Sequence, residues 1–176
     1  MTVSPYPREL LSTQQMAFAD RLTIESGVPG LDLMEQAAAE IAQVTSQILQ
    51  KTSGRRVLVI CGPGNNGGDG YAAARRLRAQ RYKVRVVSIN PVTELRGDAA
   101  SAAASWPGEI GSAWDADFQG VDLVIDALFG TGLTRDLDER AIGLVERLNK
   151  WRRETGQNIV SVDIPDRKST RLNSSH

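Results

Sequence analysis

The run Val57-Leu-Val-Ile-Cys-Gly-Pro-Gly-Asn-Asn-Gly-Gly-Asp-Gly70 decides the fold. Val57 to Cys61 is a continuous apolar stretch, as expected of a strand covered on both faces. Gly62 to Gly70 is glycine-rich, and Tyr71 to Gln80 reads as a helix. A strand, a glycine turn and a helix in that order begin a strand–helix–strand unit. Outward toward the C-terminus, Val84–Ile89 is the next strand and Asp98–Trp106 an alanine-rich helix. Val121–Asp126 is a third strand and Ile159–Asp163 a fourth. Between them Leu137–Trp151 is an amphipathic helix that buries Ala141, Leu144, Val145, Leu148 and Trp151. Outward toward the N-terminus, Leu31–Gln50 carries Met34, Ala37, Ala38, Ile41, Val44 and Ile48 at helical spacing, so that stripe should face a core. Ser12 or Thr13 caps an earlier helix running to Glu25, with Phe18, Ala19 and Leu22 on one face, which Gly27-Val-Pro-Gly30 breaks. The expected fold class is α/β: a Rossmann-like three-layer αβα arrangement with a mostly parallel sheet and two added N-terminal helices.

Composition limits the function classes. The chain has 176 residues, enough for one ordinary domain, with 41% hydrophobic and 24% charged residues. Lys+Arg and Asp+Glu are both 21, a balance that argues against a nucleic-acid or membrane-surface binder. No apolar run approaches the roughly 18 residues of a membrane span. Met1–Leu11 lacks the basic and apolar regions of a signal peptide. Cys61 is the single cysteine, so no internal disulfide forms and a reducing, cytoplasmic setting is expected.

The last eleven residues, 166–176, read DRKSTRLNSSH and share nothing with the α/β pattern before them. They look like an in-frame translation of a short-read sequencing adapter. The expectation is a domain over 1–165, truncated at its C-terminus, followed by non-native sequence. The tail carries three basic residues, one acid and the only histidine, so the remainder is two charges negative and has no imidazole. Acid–base chemistry in Met1–Pro165 then falls to carboxylates or other groups rather than imidazole.

Three loops carry polar chemistry. Gly62, Gly64 and Gly67 match G-x-G-x-x-G, which lets backbone N–H groups approach a phosphate at a helix start. Asn65, Asn66 and Asp69 add two amides and a carboxylate that a tight turn alone does not need. The strand after this unit ends Ser88-Ile-Asn-Pro91 without a carboxylate, which disfavours an ordinary nicotinamide dehydrogenase. The second loop, Asp126-Ala-Leu-Phe-Gly-Thr-Gly-Leu-Thr-Arg-Asp136, offers donors from Gly130, Thr131, Gly132 and Arg135; the alternative is an Asp126 that only satisfies backbone amides. The third, Ser161-Val-Asp-Ile-Pro165, places Asp163 at a strand end as a cap or a base. In a parallel sheet Asp69, Asp126 and Asp163 would share one edge and make an oxygen-rich site for a hard cation or a donor-rich ligand. Zinc is not expected without a Cys/His cluster. Cys61 reads as core, the tryptophans as packing or surface residues, and Arg75, Arg76, Arg78 and Arg81 as a solvated helix face.

Gly64-Asn-Asn-Gly-Gly-Asp-Gly70, Asp126…Gly130-Thr-Gly-Leu-Thr-Arg135 and Val162-Asp-Ile-Pro165, in that order, resemble the NAD(P)H-hydrate epimerase family, also known as the YjeF N-terminal domain. Pro29-Gly-Leu-Asp-Leu-Met-Glu35 is similar to its N-terminal helix start. The resemblance runs from Ser12 to Pro165. It implies an isomerase that interconverts the R and S epimers of hydrated NADH and NADPH (NADHX, NADPHX), so that a dehydratase specific for one epimer restores the cofactor. That dehydratase is a separate chain or a fused C-terminal domain. It further implies that Asn65, Asn66, Gly67, Gly68 and Asp69 contact the hydrated nucleotide. Gly130, Thr131, Gly132, Leu133, Thr134, Arg135 and Asp136 would hold its phosphates. Asp163 would bind near the reacting ring as the catalytic acid/base, and Asn66 and Asp126 would bind a potassium ion. The other reading is a non-catalytic nucleotide-binding module of the same fold. The N-terminal helices offer a route to a homodimer.

The family continues Val-Asp-Ile-Pro with Ser-Gly, and that serine helps ligate potassium; here Asp166-Arg167 follows. A chain lacking it is expected to express poorly or to lack activity. Sequencing the source DNA past the Pro165 codon is expected to return Ser-Gly and further α/β pattern; a stop after His176 would show the tail to be genuine.

Overall fold

The computed structural model describes residues 13–133 and 136–163. The expectations for Met1–Leu11, Ser12, Thr134, Arg135, Pro165 and the tail lie outside the described residues.

Among them the elements run α1 (Thr13–Glu25), α2 (Gly30–Thr52), β1 (Arg56–Cys61), α3 (Asn65–Ala79), β2 (Lys83–Ser88), α4 (Gly97–Ala104), β3 (Ile110–Ser112), β4 (Leu123–Ala127), α5 (Glu139–Thr155) and β5 (Asn158–Ser161), with short 3-10 turns at Val92–Glu94 and Ala113–Asp115. The strands form one sheet in the order β3-β2-β1-β4-β5. Every pairing is parallel, with Cys61 opposite both Ser88 and Ala127, and Asp126 opposite Ile60 and Ser161. The expected α/β architecture is therefore present.

Alternate residues of β1 face opposite layers. Val57, Val59 and Cys61 pack with Met34 and Ala38 of α2, Tyr71 and Leu77 of α3 and Ala102 of α4. Leu58 and Ile60 pack with Leu144, Leu148 and Trp151 of α5. Helices on both sides explain why β1 is apolar at every buried position rather than at every second one. Burial pushes the Cys61 thiol well up, as befits a core residue rather than a reactive one.

Four expectations need correction. Asn65 to Asp69 are not in a loop: α3 starts at Asn65, behind an N-cap at Gly64 that offers no side-chain cap. Helix begins that early because Gly67 and Gly68 allow the first turn to press on its neighbours. A Cβ at Gly67 would lie 1.9 Å from the Gly62 carbonyl oxygen, and one at Gly68 2.4 Å from the Met34 methyl. Secondly, β3 is an additional strand, too short to leave a periodic signature. Thirdly, Val44 is 45% exposed; the buried line of α2 is Met34, Ala38, Ala42, Thr45 and Leu49. Finally, Arg75 and Arg76 are not merely solvated: both pair with Glu35 of α2.

The N-terminus of α5 is capped by Asp138, whose Oδ1 accepts the Ala141 N–H at 2.8 Å, and Gly156 closes it in the left-handed conformation at φ 67°. No helix among the described residues is long and apolar enough to cross a membrane.

Close backbone approach around Gly62 is the tightest constraint on the sheet edge. A Cβ there would stand 1.8 Å from the Leu128 carbonyl oxygen, a contact that only a backbone shift relieves. Gly143, in the middle of α5, meets nothing within 4 Å. Gly62→Ala is expected to cost about 2–4 kcal/mol, and Gly143→Ala to gain about 0.5–1 kcal/mol, both measured by denaturant unfolding. Equal responses at the two positions would contradict this packing.

Candidate functional site

Strand ends at the C-terminal edge of the sheet are laced by backbone hydrogen bonds. The Gly62 N–H donates to the Ala127 carbonyl at 2.9 Å, joining the ends of β1 and β4. The Val162 N–H donates to the Asp126 carbonyl at 3.0 Å, joining β5 to β4, and the Ile89 N–H donates to the Cys61 carbonyl at 3.1 Å, joining β2 to β1. All three polar loops of the sequence thus start from one edge, where open α/β sheets bind ligands.

Two of those loops meet the start of α3. A Cβ at Gly130 would lie 2.5 Å from Asp163 Oδ2 and 3.4 Å from Asn66 Cβ, so Gly130 sits between these two side chains. The Thr131 N–H donates to Asp163 Oδ2 at 2.7 Å. This fixes the carboxylate with one oxygen engaged by backbone, a short bond of the charge-assisted kind. Asn66 is half-buried, and no hydrogen-bond partner reaches its buried Nδ2 among the described residues. An orphaned amide donor beside a fixed carboxylate is the kind of group that a bound molecule satisfies.

Asp126 lies at the end of β4, half-buried, and its Oδ1 accepts the Leu128 N–H at 3.1 Å. Burial pushes its carboxyl up, opposed only by that one hydrogen bond. The alternative left open by the sequence, an Asp126 that satisfies a backbone amide, is therefore part of the geometry. It does not compensate the buried charge.

Among the described residues no group of three or more His, Cys, Asp or Glu side chains is placed to hold a metal ion. The expected three-carboxylate cluster of Asp69, Asp126 and Asp163 is thus not formed. Asp69 is the fifth residue of α3, and the Thr131 N–H holds Asp163 against Gly130. Asn65, at the first position of α3, is exposed; Gly67 and Gly68 are buried under it. Thr131, Gly132 and Asp136 are exposed around the second loop, where the Leu133 N–H closes a turn onto the Gly130 carbonyl at 3.1 Å.

Two features escaped the sequence. Thr131 acts through its backbone N–H, which no side-chain pattern announces. Beyond β2, where the strand itself has no carboxylate, the 3-10 turn Val92–Glu94 returns one: Asn90 Nδ2 donates to Glu94 Oε2 at 2.9 Å. An acid three residues after a proline was the available signal.

Residues 30–169 match the family described as YjeF-related protein N-terminus. An NAD(P)H-hydrate epimerase of Rhodobacter capsulatus is 38% identical over 138 residues, covering 73% of this chain and 65% of that protein. One of Achromobacter xylosoxidans is 37% identical, covering 88% and 71%. The bifunctional NAD(P)H-hydrate repair enzyme Nnr of Synechocystis is 33% identical, covering 92% of this chain but 30% of its own length. The chain therefore spans about two thirds of the shorter relatives and under a third of the bifunctional one. Among solved structures, that of yeast ynu0, YNL200c, superposes with a TM-score of 0.74 at 26% identity, covering 90% of this chain and 71% of that one. A family match over residues 30–169, most of the chain, means that this chain belongs to the YjeF-related N-terminal family.

Proposed function

We propose that this chain is an NAD(P)H-hydrate epimerase domain, a cytoplasmic isomerase of nicotinamide nucleotide repair. It would interconvert the R and S forms of NADHX and NADPHX for an S-specific dehydratase, carried by a separate chain or by a fused C-terminal domain. The observation that carries the proposal is the meeting of Asn66, Gly130 and Asp163, with Asp163 Oδ2 held by the Thr131 N–H.

Epimerisation requires a group that takes and returns a proton at the hydrated carbon or during ring opening and closure. In a domain without native histidine a carboxylate is the candidate, and Asp163 is held by the Thr131 N–H in contact with Gly130. The Thr131 N–H fixes one oxygen of that carboxylate at 2.7 Å. Asn66 Nδ2 would donate to the bound ring or its substituents. Asn65 and Gly67 to Asp69, at the start of α3, would meet the nucleotide where unsatisfied helix N–H groups favour negative charge. Gly130 to Asp136 would hold the phosphates.

Potassium fits the remaining groups. Asp126 is pushed toward neutrality by burial, and none of the ion pairs among the described residues involves it. A monovalent cation held by Asp126 and Asn66 would supply the missing positive charge at the phosphate side of the site. We also take residues 1–165 as the domain, with 166–176 foreign to it.

In a chain whose positions 166–167 are Ser-Gly, Asp163→Asn is expected to lower the rate of R/S interconversion by about 10²–10⁴-fold, followed by chromatography of the two epimers, with the unfolding midpoint unchanged. Replacing potassium by a large organic cation should reduce the wild-type rate and leave Asp126→Asn unaffected. Tight binding of NADHX with no interconversion, in a chain whose positions 166–167 are Ser-Gly, would favour the non-catalytic module.

A homodimer through α1 belongs to the same proposal. Met16, Phe18, Leu22 and Ile24 are each about half exposed. A helix of 13 residues is marginal in water unless its apolar face is covered. Sedimentation is expected to give a dimer, and the double substitution Phe18→Glu, Leu22→Glu a monomer. A wild-type monomer would remove this part.

A further inference from the structure

The edge that carries the site continues past it, to the end of β2. Sheet order β5-β4-β1-β2 sets the order of the loops along that edge. Asp163 follows β5, Gly130 and Thr131 follow β4, the glycine turn Gly62–Gly64 follows β1, and Asn90 follows β2. Adjacent strands stand about 4.8 Å apart, so the first and last of these are separated by roughly 14 Å. An extended dinucleotide with its reacting ring at Asp163 and its phosphates over the β4 and β1 loops therefore brings its second ribose to the end of β2.

A carboxylate waits there. Glu94 is exposed, and its Oε2 accepts from Asn90 Nδ2 at 2.9 Å. The chain between them is fixed on both sides. The Ile89 N–H is tied to the Cys61 carbonyl, the Asn90 N–H donates to Ser88 Oγ at 3.4 Å, and Leu95 is buried. The Glu94 N–H donates to the Pro91 carbonyl at 2.9 Å, closing the turn. The Asn90 amide occupies one carboxylate oxygen and leaves Oε1 for a ligand. In dinucleotide-binding sheets an acid at the end of the second strand accepts a ribose 2′-hydroxyl, and Glu94, six residues beyond the end of β2, offers a carboxylate near that end.

We propose that Glu94, oriented by Asn90, accepts a hydroxyl of the adenosine-side ribose and makes the site favour hydrated dinucleotides without a 2′-phosphate. This rests on the epimerase reading for the direction in which the dinucleotide lies. Asn90 is a positioning residue, and Glu94 sets specificity.

The test uses NADH and NADPH, stable stand-ins for their hydrates, in equilibrium binding to the full chain. Wild type is expected to bind NADH about tenfold more tightly than NADPH. Glu94→Gln should bring the ratio to about two or below, and Glu94→Arg should reverse it, since an arginine welcomes the phosphate. Asn90→Ala should fall between wild type and Glu94→Gln. A wild-type ratio near one, a ratio unmoved in Glu94→Gln, or no binding of either dinucleotide overturns the assignment. Epimer interconversion of NADHX, assayed on the same proteins carrying Ser-Gly at positions 166–167, separates the two readings. Preference for NADH without interconversion would remove the epimerase and keep Glu94. Interconversion of both hydrates with equal kcat/KM in wild type and in Glu94→Gln would do the reverse.

Discussion

Contact between the backbone at Gly62 and the backbone at Leu128 governs the rest of this structure. It brings the end of β1 against the end of β4 more closely than any side chain would permit. From that contact the start of α3 is set, because Gly67 rests on the Gly62 carbonyl in turn. Gly70 continues the same logic one turn later, where a Cβ would stand 2.6 Å from that of Ala127. Three of the five glycines in these nine residues, Gly62, Gly67 and Gly70, therefore serve one purpose: they lower a helix N-terminus onto the crossing point of two strands. Open α/β sheets bind ligands at such a point, where strand order reverses.

The electrostatics of the site follow from the same closeness. A helix start without a side-chain cap leaves N–H groups unsatisfied, and these favour a negative ligand. Beside it stand two carboxylates with different surroundings. Asp163 shares its charge with the Thr131 N–H and faces the space over Gly130. Asp126 is tucked under the loop, where burial opposes ionisation and one N–H only partly offsets it. Two carboxylates near the same edge thus have different surroundings: one is buried, and the other is fixed by a backbone donor. The far side of the sheet shows how charge is handled where no ligand is expected. There Asp122 accepts from the Arg55 and Arg56 backbone N–H groups and from the Arg56 guanidinium, which holds its carboxyl down at about 2.

Much of the fold was legible in the chain because its signals are local. Long apolar runs marked β1, β2, β4 and β5, and spacing marked α2 and α5. Misreadings arose where the local signal was weak or ambiguous. β3 has three residues, Ile110–Ser112, and owes its existence to pairing with Val86–Ser88. Val44 fits an apolar stripe but falls outside the arc that meets α3 and α4, while Thr45 is fully buried despite its hydroxyl. Asn65 to Asp69 have the composition of a loop, and glycine usually weakens a helix. Only the proximity of Gly62 and Met34 shows why those glycines belong inside one. Of the site, the residue types and their order along the chain were visible, and so was the family they resemble.

By itself the sequence determined a parallel α/β sheet, the identity of the three edge loops and the chemistry available there, because strand and helix periodicities and glycine turns are written in consecutive residues. Tertiary structure alone decided which of those groups meet. It brought Asn66 and Asp163 together at Gly130. It also supplied Asp163 with a backbone donor from Thr131 and raised Glu94 beside Asn90. Each of these depends on which strands are neighbours and how closely their ends approach, and a distance between residues thirty or sixty positions apart has no local signature.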